Sequence, residues 1–271
     1  MSSLTKISIV VLIIGAGLFS CSEVNEYADI ERAIKNEEFD KALLLIEAMK
    51  EEGCDSDKIH LAQSKVFFET ELYDEVLESL TIVLERNPQH EEALFKKALT
   101  LQYKGKHQQA IDYYEKLLTI DDSQSIYHLN HAISLQETGH VDAALESYYR
   151  CVSDSAFFLD VYKGISCIYL EFKPNQDSAM YILNEILAVN EKSDYAYAGL
   201  AKVYNMMGDY HAAIKNATKA AKLNEKNANA YYESGLAKNK IYPGSGCADM
   251  EKATVLGHRK ALSKYSEMCK N

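Results

Sequence analysis

The stretch 194-DYAYAGLAKVYNMMGDYHAAIKNATKAAKLNEKN-227 decides the fold. Tyr197, Leu200, Ala201 and Tyr204 fall at spacings that place them on one face of a first helix. Gly208-Asp209 breaks that pattern. Tyr210, Ala213, Ala217, Ala220 and Ala221 then mark the inner face of a second helix, and Asn224 closes the unit. The small side chains of Ala201, Ala213 and Ala220 let two helices come close, and the glycine permits a tight turn between them.

Moving in either direction by the same period recovers the pattern. Residues 125–158 carry Ala132, Leu135, Gly139, Val141, Ala144, Tyr148 and Cys151 at matching places. Residues 91–124 carry Leu94, Ala98, Leu101, Gly105, Ala110, Tyr114 and Leu117. Residues 57–90 keep Phe67, Tyr73, Val76, Leu80 and Val83, but Glu71 replaces the turn glycine, and Gln63 and Ser64 replace the apolar and small pair. Residues 23–56 keep Phe39, Ala42, Ile46 and Met49 in the second helix, while the first departs from the pattern. Residues 159–193 hold one extra residue, expected in the turn Phe172–Gln176, where no packed face would shift. A last pair starts at 228 with Tyr231, Ser234 and Gly235, and Pro243-Gly244-Ser245-Gly246 stops its first helix before 257.

This unit resembles the tetratricopeptide repeat, a helix-turn-helix of that length. The resemblance covers nearly all of residues 23–257 and implies an all-α, right-handed superhelical solenoid. The segment from Cys247 to Ala261 is similar to Sel1-type repeats, and a final helix from His258 is expected to cap the stack over 258–271.

The chain opens with Lys6 and an apolar run from Ile7 to Phe19, thirteen residues, where a stable span takes about 20. It ends in Leu18-Phe19-Ser20-Cys21, which resembles the bacterial lipobox. The resemblance implies a signal peptide over 1–20, acylation of Cys21 and tethering by lipid alone. Ser22 stands where aspartate would imply retention at the inner membrane, so the outer membrane is the expected site.

Net charge is -11. A nucleic-acid partner needs a basic stripe, so none is expected. No catalytic constellation and no cofactor motif stands out. His128 and His131 are spaced as two ligands on one helical turn but occupy core positions without a third, so no metal is expected. Gly244-Ser245-Gly246 lacks the lysine and preceding strand of a phosphate loop and reads as a helix-breaking turn. Cys247 and Cys269 begin and end the last two antiparallel helices, which leaves two alternatives, a disulfide or two buried thiols. Cys151 and Cys167 sit at small-residue packing positions.

In the tetratricopeptide family the first helices line a concave groove through their second, fifth, ninth, twelfth and thirteenth positions. Those positions hold an apolar set, Leu61, Phe95, Leu99, Tyr103, Leu129 and Ile133. They also hold a polar and aromatic set, Tyr195, Lys202, Asn205, Tyr232, Asn239 and Lys240. One reading is a protein or peptide segment laid along this face; the other is packing between neighbouring pairs. A chaperone-type carboxylate clamp is not expected, since apolar residues fill its places. The expected function is a non-enzymatic, membrane-tethered scaffold of the bacterial envelope that binds a partner segment. Two alternatives are a dedicated subunit of an outer-membrane assembly or secretion machine, and an adaptor that recruits a cell-wall hydrolase or protease.

Overall fold

The computed structural model describes residues 23–269. Cys21 and the apolar run before it lie outside the described residues. Among those described there are fifteen α-helices, one π-helical turn and no strand. The chain forms two compact bodies, divided between Pro88 and Gln89.

The first body holds α1 (Glu23–Lys35), α2 (Phe39–Glu51), α3 (Asp57–Glu69) and α4 (Tyr73–Arg86). Despite its departure from the pattern, α1 is a full helix. Ile30, Ala33 and Ile34 recur at helical spacing and are buried against Ala42, Ile46 and Met49 of α2 and Ile59, Ala62 and Val66 of α3. Arg86, at the end of α4, reaches back to the entry of α3, donating to the Asp55 carbonyl at 2.9 Å and the Asp57 carboxylate at 3.3 Å.

The second body runs α5 (Glu91–Tyr103), α6 (His107–Ile120), α7 (Ser125–Glu137), α8 (Val141–Cys151), α9 (Phe158–Cys167), the π-helical turn Ile168–Phe172, α10 (Gln176–Val189), α11 (Asp194–Met207), α12 (Tyr210–Leu223), α13 (Ala228–Ile241), α14 (Cys247–Val255) and α15 (Ala261–Cys269). Each helix packs on the next in sequence. Ala98 and Ala110, Ala132 and Ala144, and Ala201 and Ala213 are fully buried in three of the pairs. Side chains cap several entries: Ser193 accepts from Ala196 N at 3.2 Å, Asp209 from Ala212 N at 2.9 Å and Asn227 from Ala230 N at 3.0 Å.

Most first helices end the same way. A residue with positive φ follows the helix, and the next amide closes a ring onto a carbonyl five residues back. Examples are Lys106 N to Leu101 O at 2.8 Å, His140 N to Leu135 O at 2.9 Å and Asp209 N to Tyr204 O at 3.0 Å. The positive-φ place is Gly105, Gly139 and Gly208 in these pairs, but Glu37 and Glu71, each at φ 60°, in the first body.

The fifth pair corrects the expected site of the extra residue. Its closing bond, Asn175 N to Tyr169 O at 3.1 Å, spans six residues instead of five, and Lys173 N bonds to Ile168 O at 2.9 Å. The insertion therefore widens the end of the first helix into a π turn rather than lengthening a loop. A π turn keeps the backbone groups paired, which an extra loop residue would not do.

The final helix also differs from expectation. It starts at Ala261, because His258 N closes α14 by bonding to Ala253 O at 2.9 Å, after Gly257 at φ 83°. His258 to Lys260 form the connecting turn. Cys247 and Cys269 are joined by a disulfide with Cα atoms 5.8 Å apart, tying the start of α14 to the end of α15.

A left-handed conformation costs a side-chain-bearing residue about 1 kcal/mol. Glu71→Gly should therefore raise the unfolding free energy by about that amount, and Gly208→Ala should lower it by a similar one. Urea unfolding of the purified chain measures both. Unchanged midpoints in both variants would contradict left-handed turn residues at these positions.

Candidate binding face of the first helices

Thr100 and Ala98 of α5 turn into the core, which leaves the fifth, ninth and thirteenth positions of that helix for its other side. Phe95 and Leu99 are half-buried there, and Tyr103 is 62 % exposed. Phe95 packs at a tilt against Tyr127, with ring centroids 5.3 Å apart, and touches Tyr114 at 6.4 Å. On α7, Ile133 is half-buried and lies against the core, whereas Leu129 is buried within it. Leu61, in the first body, is also buried, at 8 % exposure. Leu61 and Leu129 are thus packing residues. The reachable apolar face of the second body consists of Phe95, Leu99, Tyr103 and Ile133.

The polar set is largely engaged within the molecule. The Tyr195 hydroxyl donates to Lys163 O at 3.1 Å and bonds with Ser166 Oγ at 2.9 Å; burial pushes its pKa up to about 12. Lys202 forms an ion pair with Glu171, whose other oxygen lies 3.8 Å from Lys260 Nζ. Asn205 Nδ2 donates to both the carbonyl oxygen of Glu233, at 2.9 Å, and its carboxylate, at 2.8 Å. Tyr232 is buried and stacks on His258, with centroids 3.9 Å apart. Asn239 accepts from Gly244 N at 2.7 Å and so fixes the turn after α13. Lys240 is exposed.

Four members of this cluster were not anticipated: Glu171, Glu233, His258 and Lys260. Glu233 had a legible signal, because an acid directly beside the buried Ser234 and Gly235 positions must find a partner. Glu171 had none, because its placement depends on the π turn.

His128 and His131 lie apart in their bonding. His128 Nε2 contacts Asp122 O at 2.8 Å, and His131 Nδ1 contacts Ser147 Oγ at 3.1 Å. Burial pulls His131 down to about 4, so it is neutral at physiological pH. Among the described residues, no group of three or more His, Cys, Asp or Glu is placed to hold a metal ion. No helix of the described residues is long and apolar enough to cross a membrane.

Residues 91–124 and 195–227 match the family model described as Tetratricopeptide repeat. No curated protein matches the sequence. Among solved structures, a tetratricopeptide repeat protein from Parabacteroides merdae is 17 % identical with a TM-score of 0.68, spanning 91 % of this chain and 99 % of that one. The C-terminal part of a TPR repeat-containing protein from Cytophaga hutchinsonii is 14 % identical with a TM-score of 0.67, spanning 88 % and 98 %. YrrB, described as a TPR protein with an unusual peptide-binding site, is 16 % identical with a TM-score of 0.53, spanning 69 % and 98 %. These likenesses concern the fold. With the helix pairs described above, they make this chain an all-helical array of tetratricopeptide type.

Burial raises the carboxyl pKa of Glu233, against the opposing pull of the Asn205 bond and the Lys202 charge. The folded state then holds that proton more tightly than the unfolded chain. The group's contribution to stability therefore falls as pH rises from the ordinary carboxylate range through the raised folded value. Glu233→Gln should melt higher than the wild type at about pH 7, with the gap closing below about pH 4, where both side chains are neutral. Thermal unfolding by circular dichroism at the two pH values measures this. A variant less stable at neutral pH would show that Asn205 and Lys202 require the charge.

Proposed function

We propose that this protein is a non-catalytic scaffold that binds a segment of a partner protein on the first-helix face of its second body. The observation that carries this reading is the exposure of Tyr103 beside the half-buried Phe95, Leu99 and Ile133. Phe95 and Leu99 lie four residues apart on α5, and Tyr103 four beyond, so the three share one stripe. An apolar stripe ending in an exposed tyrosine suits a peptide or helix whose side chains insert between neighbouring first helices. The description of YrrB as holding a peptide-binding site supports the same use of a like fold. The polar cluster around Lys202 and Asn205 belongs to the same body.

We further propose that acylated Cys21 tethers the chain to a bacterial envelope membrane, with the outer membrane as its site, and that the last pair is Sel1-like. The support is the short apolar run and the Leu18-Phe19-Ser20-Cys21 sequence. The partner is a protein, and nucleic acid is not its ligand; the chain's charge of -11 supports this.

In-cell crosslinking with mass spectrometry tests the scaffold. A Phe95→Ser, Leu99→Ser, Ile133→Ser variant that keeps its helical circular dichroism should lose one crosslinked protein selectively. An unchanged set of crosslinks would make the stripe a packing feature. For the anchor, Cys21→Ala should abolish labelling by a palmitate analogue and move the protein out of the membrane fraction. Retained labelling would refute acylation at that residue.

A further inference from the structure

The second body has an open cleft of about 450 Å³ lined by residues of α8, α9, the π turn and α10, none of them in the first-helix stripe. Four tyrosines from four successive elements line it: Tyr149 of α8, Tyr162 of α9, Tyr169 of the π turn and Tyr181 of α10. Ile182 adds an apolar wall, and Asp177 in the first turn of α10 adds a carboxylate. No lysine, arginine or histidine lines it. Glu185 places a second negative charge near Tyr162.

Two departures from the repeat build this cavity. Helix α8 has 11 residues, whereas α6, α10 and α12 each have 14, so it ends just after Tyr149. The π turn carries Tyr169 to within hydrogen-bonding distance of Tyr149, hydroxyl to hydroxyl at 3.1 Å. Phe158 stacks on Tyr162, with centroids 4.1 Å apart, and braces that ring. The cavity wall is therefore held, yet Tyr149 and Tyr181 remain 50 % and 61 % exposed. Burial and the bond to Tyr169 push the Tyr149 hydroxyl up to about 12, so it stays neutral. The phenol of Tyr149 thus brings no charge, and the carboxylate among the lining residues is that of Asp177.

We infer that this cavity binds an organic cation with an apolar body, an alkylammonium or guanidinium group. Ring faces attract such a cation, and the carboxylate of Asp177 complements its charge. The volume lies within the range of small-ligand sites. Two sources present this chemistry: a free amine and a basic side chain of a peptide. The inference does not rest on the first-helix stripe, since none of that stripe's residues lines the cavity.

Isothermal titration of the purified full chain tests it, with choline as the free-amine probe and N-acetylarginine amide as the side-chain probe. The neutral control is 3,3-dimethylbutan-1-ol, which has the shape of choline without its charge. At least one cation should bind saturably and about tenfold or more tighter than the neutral control. The tighter of the two probes identifies the source. Tyr181→Ala, at an exposed position that leaves the fold intact, should weaken that cation about tenfold, and Asp177→Asn severalfold. The Phe95, Leu99, Ile133 serine variant should bind it as the wild type does, which separates this site from the scaffold reading. Equal binding of cation and neutral control, no saturable binding of either cation, or full affinity in Tyr181→Ala would each overturn the inference.

Discussion

The array depends on how closely two helix backbones approach within and between pairs. Where α13 meets α14, the chain uses glycine on both sides. A Cβ on Gly246 would lie 2.0 Å from Gly235 O, a backbone atom that cannot step aside. Where α11 meets α10, a Cβ on Gly199 would lie 2.7 Å from a methyl group of Leu183. Elsewhere alanine suffices, as at Ala98 and Ala110 or Ala201 and Ala213, all fully buried. Ser64 and Ser166 hold the same place in other pairs and are buried too, each returning its hydroxyl to a carbonyl of its own helix, Leu61 O at 2.7 Å and Lys163 O at 2.9 Å. Small size is therefore the constraint at this position, and polarity is tolerated once the hydroxyl is satisfied.

A second constraint follows from filling the space beside these small residues with tyrosine. Tyr114 and Tyr148 are buried, and burial raises the pKa of both phenols. Each hydroxyl needs an acceptor, supplied by the residue twelve positions earlier. Tyr114 donates to Gln102 Oε1 at 2.9 Å, and Tyr148 donates to Gln136 Oε1 at 3.1 Å. In the pair that begins at Asp194, Ala217 replaces that tyrosine, and Asn205 stands where the glutamines stand. Released from a tyrosine, the Asn205 amide turns forward to Glu233. The Asn205 part of the polar cluster thus uses a position that serves a tyrosine in the pairs α5–α6 and α7–α8.

These relations explain what could be read from the chain. The 34-residue period, the small positions and the turn glycines are local, and each copy reinforces the next, so the all-α repeat array was legible. Of the apolar first-helix residues singled out, Tyr103 is exposed and Phe95, Leu99 and Ile133 are half-buried. Burial was less legible. Leu61 and Leu129 occupy the same register as Phe95, but the way neighbouring helices close over them is not written in the period. The polar set was identified by position, while partners such as Glu171 and Lys260 stayed hidden because they come from other parts of the array, and the register of Glu171 depends on a local distortion.

That distortion is the π turn at Ile168–Phe172. One extra residue in an α-helix rotates everything after it by about 100°, which would carry the following side chains off their face. Absorbing it in a π turn confines the rotation to a few residues and restores register by Ala179, which is fully buried. The residues inside the turn are the ones displaced. Tyr169 faces Tyr149 in the aromatic cavity, and Glu171, two residues on, meets Lys202 and Lys260 in the polar cluster. A single inserted residue therefore contributes to both features that set this array apart from a plain stack of repeats. It does so without disturbing the packing of α10 on α11, because the wider turn ends before the next helix begins.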